Sequence, residues 1–377
     1  MGINLERLAS VFTALCEIDS PPKQEGRVAA YLKSVFVAMG AEVGEDDSAK
    51  QTGSDCGNLF VRFPDEGLDR EPVFFNCHMD TVLPATGVKV KREGEVFTSA
   101  GDTVLGSDDK AGIAVLIEVM RTLQEKNIPY GPVEYIFTTC EEVGLMGVKA
   151  LDPSSIKAKI GYALDSSGIN RVIVGAPAAN RITATIKGVA AHAGLSPEKG
   201  ISAIHLAAKA IARLKLGRLD PESTANIGLI TGGTATNIIP ESVLVHGEVR
   251  SHTVSKLEEY TQKMKDVFQD EIDNWTDPEN IVNGKPSLDF RVAQEYPVMQ
   301  LDKESAVIKR VKEAATTLDA ELDYVVAGGG SDANIFNSLG IQCAIISTGM
   351  DKVHSTQETI KLSDMGLTAD LVMAILT

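Results

Sequence analysis

Two histidines and a run of acidic residues have the types and spacing to do chemistry. His78 and Asp80, in NCHMDTV, sit two apart at the end of the apolar run PVFFNC. At strand spacing they share one side, while Cys77 and Met79 point the other way. Glu141 and Glu142 follow the run VEYIFTT, Asp165 ends KIGYALD, and His354 comes a few residues after QCAIISTG. Asp108 and Asp109 stand in GSDDKAG, at the start of a helical segment. Taken singly, H-x-D fits a hydrogen-bonded surface turn and Glu-Glu a solvated one. Taken together they are several acids and imidazoles on one edge, and paired carboxylates repel unless a cation compensates them. Two imidazoles with at least three carboxylates suit a borderline metal such as zinc. Five ligands exceed the needs of one tetrahedral ion with an open position. Two ions sharing one carboxylate need five, and ions about 3.5–4 Å apart are a hydrolytic arrangement.

The elements that must position these groups read as an α/β layer. Residues 4–18 and 25–39 have helical periodicity, split by Ser20-Pro21-Pro22. NLFVRF, PVFFNC, VEYIFTT and KIGYALD are short apolar runs of strand type, and a helix is predicted from Lys110 to about Leu123, capped by Asp108 and Asp109. Alternation of this kind implies a central, largely parallel sheet flanked by helices, whose crevice lies at the carboxyl ends of the strands. Residues 180–297 break the rhythm. RITATIKG, a helix opened by Ser196-Pro197, STANIGLITGG, VLVHGEVRSH, a long helix and SLDFRVAQEY give βαββαβ, the order of a ferredoxin-like domain. The α/β pattern resumes afterwards. Residues 1–179 and 298–377 are therefore expected to form one domain, interrupted by a lid at 180–297 that is expected to hinge.

Composition narrows the function classes. The 377 residues carry a formal net charge of −16, which argues against nucleic acid as a partner. No segment reaches the roughly 18 apolar residues of a membrane span. MGINLERLAS lacks the charged and apolar regions of a signal peptide, and the five cysteines are widely spaced without C-x-x-C, so a cytoplasmic location is expected.

The ordered set H-x-D, D-x-K, E-E, D and H resembles the co-catalytic zinc metallopeptidase family of peptidase T, carboxypeptidase G and acetylornithine deacetylase. The likeness runs over nearly the whole chain. HMDTV, GSDDKAG, EEVGLMG, GGGSDAN and HSTQETI are most like the peptidase T branch, which releases the N-terminal residue of tripeptides. The resemblance implies that His78 and Asp165 bind one zinc ion, that Glu142 and His354 bind the other, and that Asp108 bridges them. Cobalt or manganese are possible substitutes. It implies a cis peptide between Asp108 and Asp109, a bond from Asp80 to the second nitrogen of His78, and Glu141 as general base toward the attacking water. From the lid it assigns His192 to the oxyanion, delivered from the partner subunit in dimeric relatives, Asn237 to the scissile group and Arg250 to a substrate carboxylate. By the residues alone, Arg250 also reads as a strand-face ion pair. The glycine loop GGGSDAN, in which Gly329 is the middle of three glycines, reads either as a turn with an N-cap or, by the resemblance, as a wall of the substrate pocket, and it is not a nucleotide motif. The activity so implied is an aminopeptidase acting on short peptides. The alternatives are a deacylase or carboxypeptidase on N-acyl amino acids, or a metal or small-ligand binding protein without turnover. A homodimer through the lid is expected.

Overall fold

The computed structural model describes residues 2–64 and 66–377. The chain divides into two compact units. One comprises the chain up to Ala176 together with Met299–Thr377; the other is Pro177–Val298, close to the 180–297 read from the sequence.

The first unit is built on a nine-stranded mixed sheet. Its centre holds the strands Val133–Thr138, Val73–His78, Ile160–Ala163 and Gln342–Ile346 side by side and all parallel. Pairing toward both edges includes antiparallel partners, such as Leu59–Phe63 on one side and Arg171–Ala176 on the other. Every residue of Val73–His78 and of Val133–Thr138 is buried. Strands covered on both faces read as unbroken apolar runs, which is how these appear in the sequence.

The pleat sorts the residues of the His78 strand. Phe75 and Cys77 lie in the main core with Met79, and Phe75 meets the rings of Tyr162 and Tyr135. On the opposite face Phe74 packs on Phe336, at 4.9 Å between ring centroids, and Asn76 donates to Asp332 Oδ2. His78 shares this second face by alternation. The helices Leu5–Cys16, Ser107–Glu125, Leu362–Leu376 and Ala306–Thr317 pack in that order over the main core. A smaller sheet joins Val96–Ser99 to Thr359–Lys361, tying the segment before Asp108 to the segment after His354.

In the second unit the long strands Ser223–Gly232, Ser242–Ser251, Ala178–Lys187 and Ser287–Tyr296 form one antiparallel sheet in that order. The helices Ala203–Arg213 and Val254–Asp273 pack on it. The sheet order and the chain order together are ferredoxin-like, with one extra short strand, Gly217–Asp220, at the edge. One boundary differs from expectation. Ser196-Pro197 opens only a short 3-10 turn, Pro197–Lys199. The helix starts at Ala203, where the Ser202 side chain accepts from the His205 N–H. Gly200 and the bridge between Val189 and Ile201 separate the two.

Candidate metal centre

Because the four central strands are parallel, their carboxyl ends lie on one edge, and the loops leaving that edge carry the candidate residues. His78 is the last residue of its strand, Glu141 and Glu142 follow Thr138, Asp165 follows Ala163, and His354 lies beyond Ile346. Asp108 comes to the same place from the first turn of Ser107–Glu125, where Asp108 and Asp109 have non-helical backbone angles and the peptide between them is cis.

The Asp108 carboxylate is divided between two imidazoles. Oδ1 lies 2.9 Å from His78 Nε2, and Oδ2 lies 3.3 Å from His354 Nε2, which is also 3.0 Å from Glu142 Oε1. His78, Asp108 and Asp165 each bring one donor atom within 4.8 Å of the others, as do Asp108, Glu142 and His354. His78, Glu141 and Glu142 form a third such group. Asp109 lies against Cys77 instead. Lys110 is buried away from these groups and donates to the hydroxyls of Ser20 and Thr81 at 2.6 and 2.7 Å.

The charges are strongly coupled. Burial pushes the Asp108 carboxyl up, but the bonds with His354 and His78 outweigh it and hold the group well below the usual range. Asp108 and Glu142 push His354 up to about 10. Burial, followed by the neighbouring Asp108, raises Asp165 well above an ordinary carboxyl. Burial also raises Glu141, and Asp165, Asp332 and Glu142 add to the effect. Four carboxyl groups crowd two imidazoles, so the donor chemistry suits divalent cations, beside which these acids would ionise.

Asp80 acts differently from expectation. Its backbone carbonyl, not its carboxylate, accepts from His78 Nδ1 at 2.9 Å. The carboxylate is 3.5 Å away, too long for a good hydrogen bond. Its two oxygens are drawn instead to the N–H groups of Glu141 and Glu142, at 3.0 and 3.1 Å. The tautomer consequence survives: Nδ1 carries the proton and leaves Nε2 facing Asp108.

Two further carboxylates hold this edge, and nothing in the reading of single residues singled them out. Glu358 is buried and accepts from the backbone N–H groups of Leu105, Gly106 and Asp108 and from the Ser107 hydroxyl. Glu25 is fully buried and accepts from the N–H of Cys140, which has a left-handed φ of 53° immediately before Glu141. Glu358 stands four residues after His354 in HSTQETI, and that spacing was the available signal.

A cavity of about 390 Å³ opens beside the cluster. Gly329 and its neighbours line it, as do Arg171, Ile173 and Met350. The glycine loop is also a capped helix start: Ser331 is the N-cap of Asp332–Ser338 and forms a reciprocal pair with Asn334.

Within the second unit, His192 and Asn237 are neighbours. Ala191–His192 pairs with Ile238–Ile239, and the Ala193 N–H donates to the Asn237 carbonyl at 2.9 Å. His192 is exposed, and its Nδ1 accepts from the N–H groups of Gly194 and Leu195. Neutral His192 therefore carries its proton on Nε2. Arg250 is engaged: its fork meets both oxygens of Glu248 at 2.9 Å, which is the strand-face ion pair.

Two family models match the chain. One, described as a peptidase dimerisation domain, covers residues 177–276; the other, described as M42 glutamyl aminopeptidase, covers 79–191 and 299–371. The protein YqjE of Bacillus subtilis is 39% identical over 99% of this chain and 98% of its own length. The crystal structure of aminopeptidase PepT from Bacillus cereus is 41% identical, with TM-score 0.87 over 99% of this chain and 98% of that one. A tripeptidase structure from Staphylococcus aureus is 36% identical with the same coverage and a TM-score of 0.91. The chain belongs to the PepT family of metallopeptidases. In this PepT-family chain, the dimerisation-domain match begins at the residue where the second unit begins, Pro177. Among the described residues no helix is long and apolar enough to cross a membrane.

Proposed function

We propose that the protein is a dinuclear metal-dependent aminopeptidase that releases the N-terminal residue of short peptides, tripeptides among them. His78 and Asp165 would hold one ion and Glu142 and His354 the other, with Asp108 shared between them. The observation that carries this reading is the Asp108 carboxylate, which turns one oxygen to His78 and the other to His354. A carboxylate shared between two ions would need its two oxygens turned apart in this way. The identity to an aminopeptidase and a tripeptidase supports the choice of substrate. Zinc suits two imidazoles and three carboxylates, with cobalt or manganese as substitutes. Bound here, such a pair supplies Lewis acidity that activates water and polarises the scissile carbonyl.

The chain's own residues do the rest. Glu141, held beside Glu142 by the Asp80 carboxylate, takes the proton of the attacking water and returns it to the departing amine as the C–N bond breaks. The His192 Nε2–H is a donor for the oxyanion, and Asn237, its neighbour, contacts the scissile group. Gly329 lines the pocket. Arg250 reaches a substrate carboxylate only by releasing Glu248. The working form is a homodimer assembled through Pro177–Val298, supported by the dimerisation-domain match. All five cysteines are buried and free, which suits a cytoplasmic location.

The test compares zinc-loaded wild type with Glu141→Gln on tripeptides and on N-acetyl and N-succinyl amino acids, with metal content measured for both. Wild type is expected to cleave tripeptides. Glu141→Gln is expected to keep its metal and lose on the order of 100-fold or more in kcat. Cleavage of acyl amino acids alone would overturn the aminopeptidase reading in favour of a deacylase. Equal rates in the two proteins would remove Glu141 from the mechanism.

A further inference from the structure

Arg171 opens the strand Arg171–Ala176. That strand runs antiparallel to Gln342–Ile346, so its first residue lies at the edge where the central strands end. Its backbone is fixed there: the Arg171 N–H donates to Ser347 Oγ at 3.0 Å, and its carbonyl accepts from the Ser347 N–H at 3.1 Å. The side chain lies over the turn that follows Asp165. Gly168 in that turn has φ +84°, and a Cβ there would fall 3.0 Å from Arg171 Nη1 and 3.2 Å from Cζ. The positive φ favours glycine at 168, and a side chain there would also crowd the guanidinium.

Three facts about this guanidinium belong together. It lines the same cavity as His78, Asp108 and Glu141. Among the described residues lining that cavity it is the only lysine or arginine. No carboxylate of the described residues lies within ion-pair distance of it, in a chain with 52 acidic residues against 36 basic ones. Arg7, Arg62, Arg92, Arg181, Arg213 and Arg250 each hold a carboxylate, and of the described arginines without one only Arg171 lines this cavity. An arginine fork left without an anion, at the mouth of a site that handles peptides, is a receptor for one.

We propose that Arg171 anchors a carboxylate of the substrate and so sets which peptides are cleaved. This rests on the peptidase reading above. The carboxylate has two possible sources, the C-terminus of a short peptide or an acidic side chain at its N-terminal residue. The recognition chemistry is the same for both. Anchoring through the C-terminus ties selectivity to peptide length, because the span from the scissile bond to Arg171 is fixed. Anchoring through a side chain ties it to sequence.

The experiment uses the full chain loaded with zinc. Trialanine is compared with its C-terminal amide, and Glu-Ala-Ala-amide with Gln-Ala-Ala-amide, on wild type, Arg171→Ala, Arg171→Lys and Gly168→Ala. Wild type is expected to favour the carboxylate member of one pair by about 10- to 100-fold in kcat/KM, mostly through KM. In Arg171→Ala that ratio falls toward one, and Arg171→Lys keeps part of it. Gly168→Ala, which crowds the guanidinium and strains the turn beneath it, lowers the ratio without removing the charge. The pair that responds identifies the source. Cleavage of all four peptides with the same ratios in wild type and Arg171→Ala overturns the inference alone. No cleavage of any peptide by wild type overturns the peptidase reading and takes the inference with it.

Discussion

The buried carboxylates of the candidate site fall into those that face the cluster around His78 and His354 and those that hold the loops carrying it. Asp80, Glu25 and Glu358 accept chiefly from backbone N–H groups, with a serine hydroxyl added at Glu25 and Glu358, so each fixes a loop that carries a candidate site residue. Glu358 is the most concentrated case, with four donors from the 105–108 segment on one carboxylate. Glu358→Ala strands those donors in a buried environment, at about 1–3 kcal/mol for each left unpaired. The expected loss is about 3 kcal/mol or more in urea unfolding, together with weaker zinc binding by direct titration. Unchanged stability would mean that water replaces the carboxylate without loss. Such residues are hard to read from one sequence. A ligand betrays itself by type, since histidines are few and H-x-D stands at a strand end. A carboxylate whose partners are mostly main-chain N–H groups leaves little complementary chemistry to notice. Arg171 escaped for a related reason: its significance lies in a partner it lacks, and only the described fold reveals that.

Elements bring the loops to one edge, and the sheet centre was legible because its strands are apolar on both faces. What periodicity could not supply was the local closure of each loop. The turn after Val133–Thr138 is an example. The Cys140 carbonyl accepts from the Met146 N–H, the Glu141 carbonyl accepts from Leu145, and the Thr139 carbonyl accepts from Gly147. Gly147 permits this closure, because a Cβ there would fall 2.2 Å from the Thr139 carbonyl oxygen and 2.6 Å from Asn58 Oδ1. Asn58 is itself fully buried and tied to the Thr139 N–H. Neither neighbour can retreat, so Gly147→Ala must move the segment that carries Glu141 and Glu142. An overpacking cost of about 1–3 kcal/mol is expected in the thermal midpoint. A fall of at least about tenfold in kcat/KM should accompany it, since small misplacement of catalytic groups is costly. The same dependence on local bonding explains the shifted helix start in the second unit. Ser-Pro is a fair opening signal, but the Gly200 break and the Ser202 cap decide where the helix begins.

At the scale of the whole molecule, the second unit carries a strand edge that its own sheet leaves half used. Ser223–Gly232 pairs along its length with Ser242–Ser251, but on its other side Gly217–Asp220 reaches only Ser223–Ala225. From Asn226 onward the outer edge has no partner among the named strands, and Leu229 and Ile230 are 53% and 49% exposed there. An open edge with apolar side chains invites pairing with another chain, and proteins that keep such an edge exposed usually blunt it with charge. None of residues 226–232 is charged. A twofold arrangement that sets this edge against itself is self-complementary, as a closed dimer requires. The net charge of −16 on each copy opposes association, so a contact formed at this edge would be largely apolar and is expected to tighten as salt screens the repulsion. Sedimentation of the wild type should give twice the 40.2 kDa of the chain. Ile230→Glu, which adds a charge to each side of the contact, should shift the protein toward monomer, with the effect weakening at high salt. A variant that sediments as wild type at every salt concentration would move the interface elsewhere in Pro177–Val298.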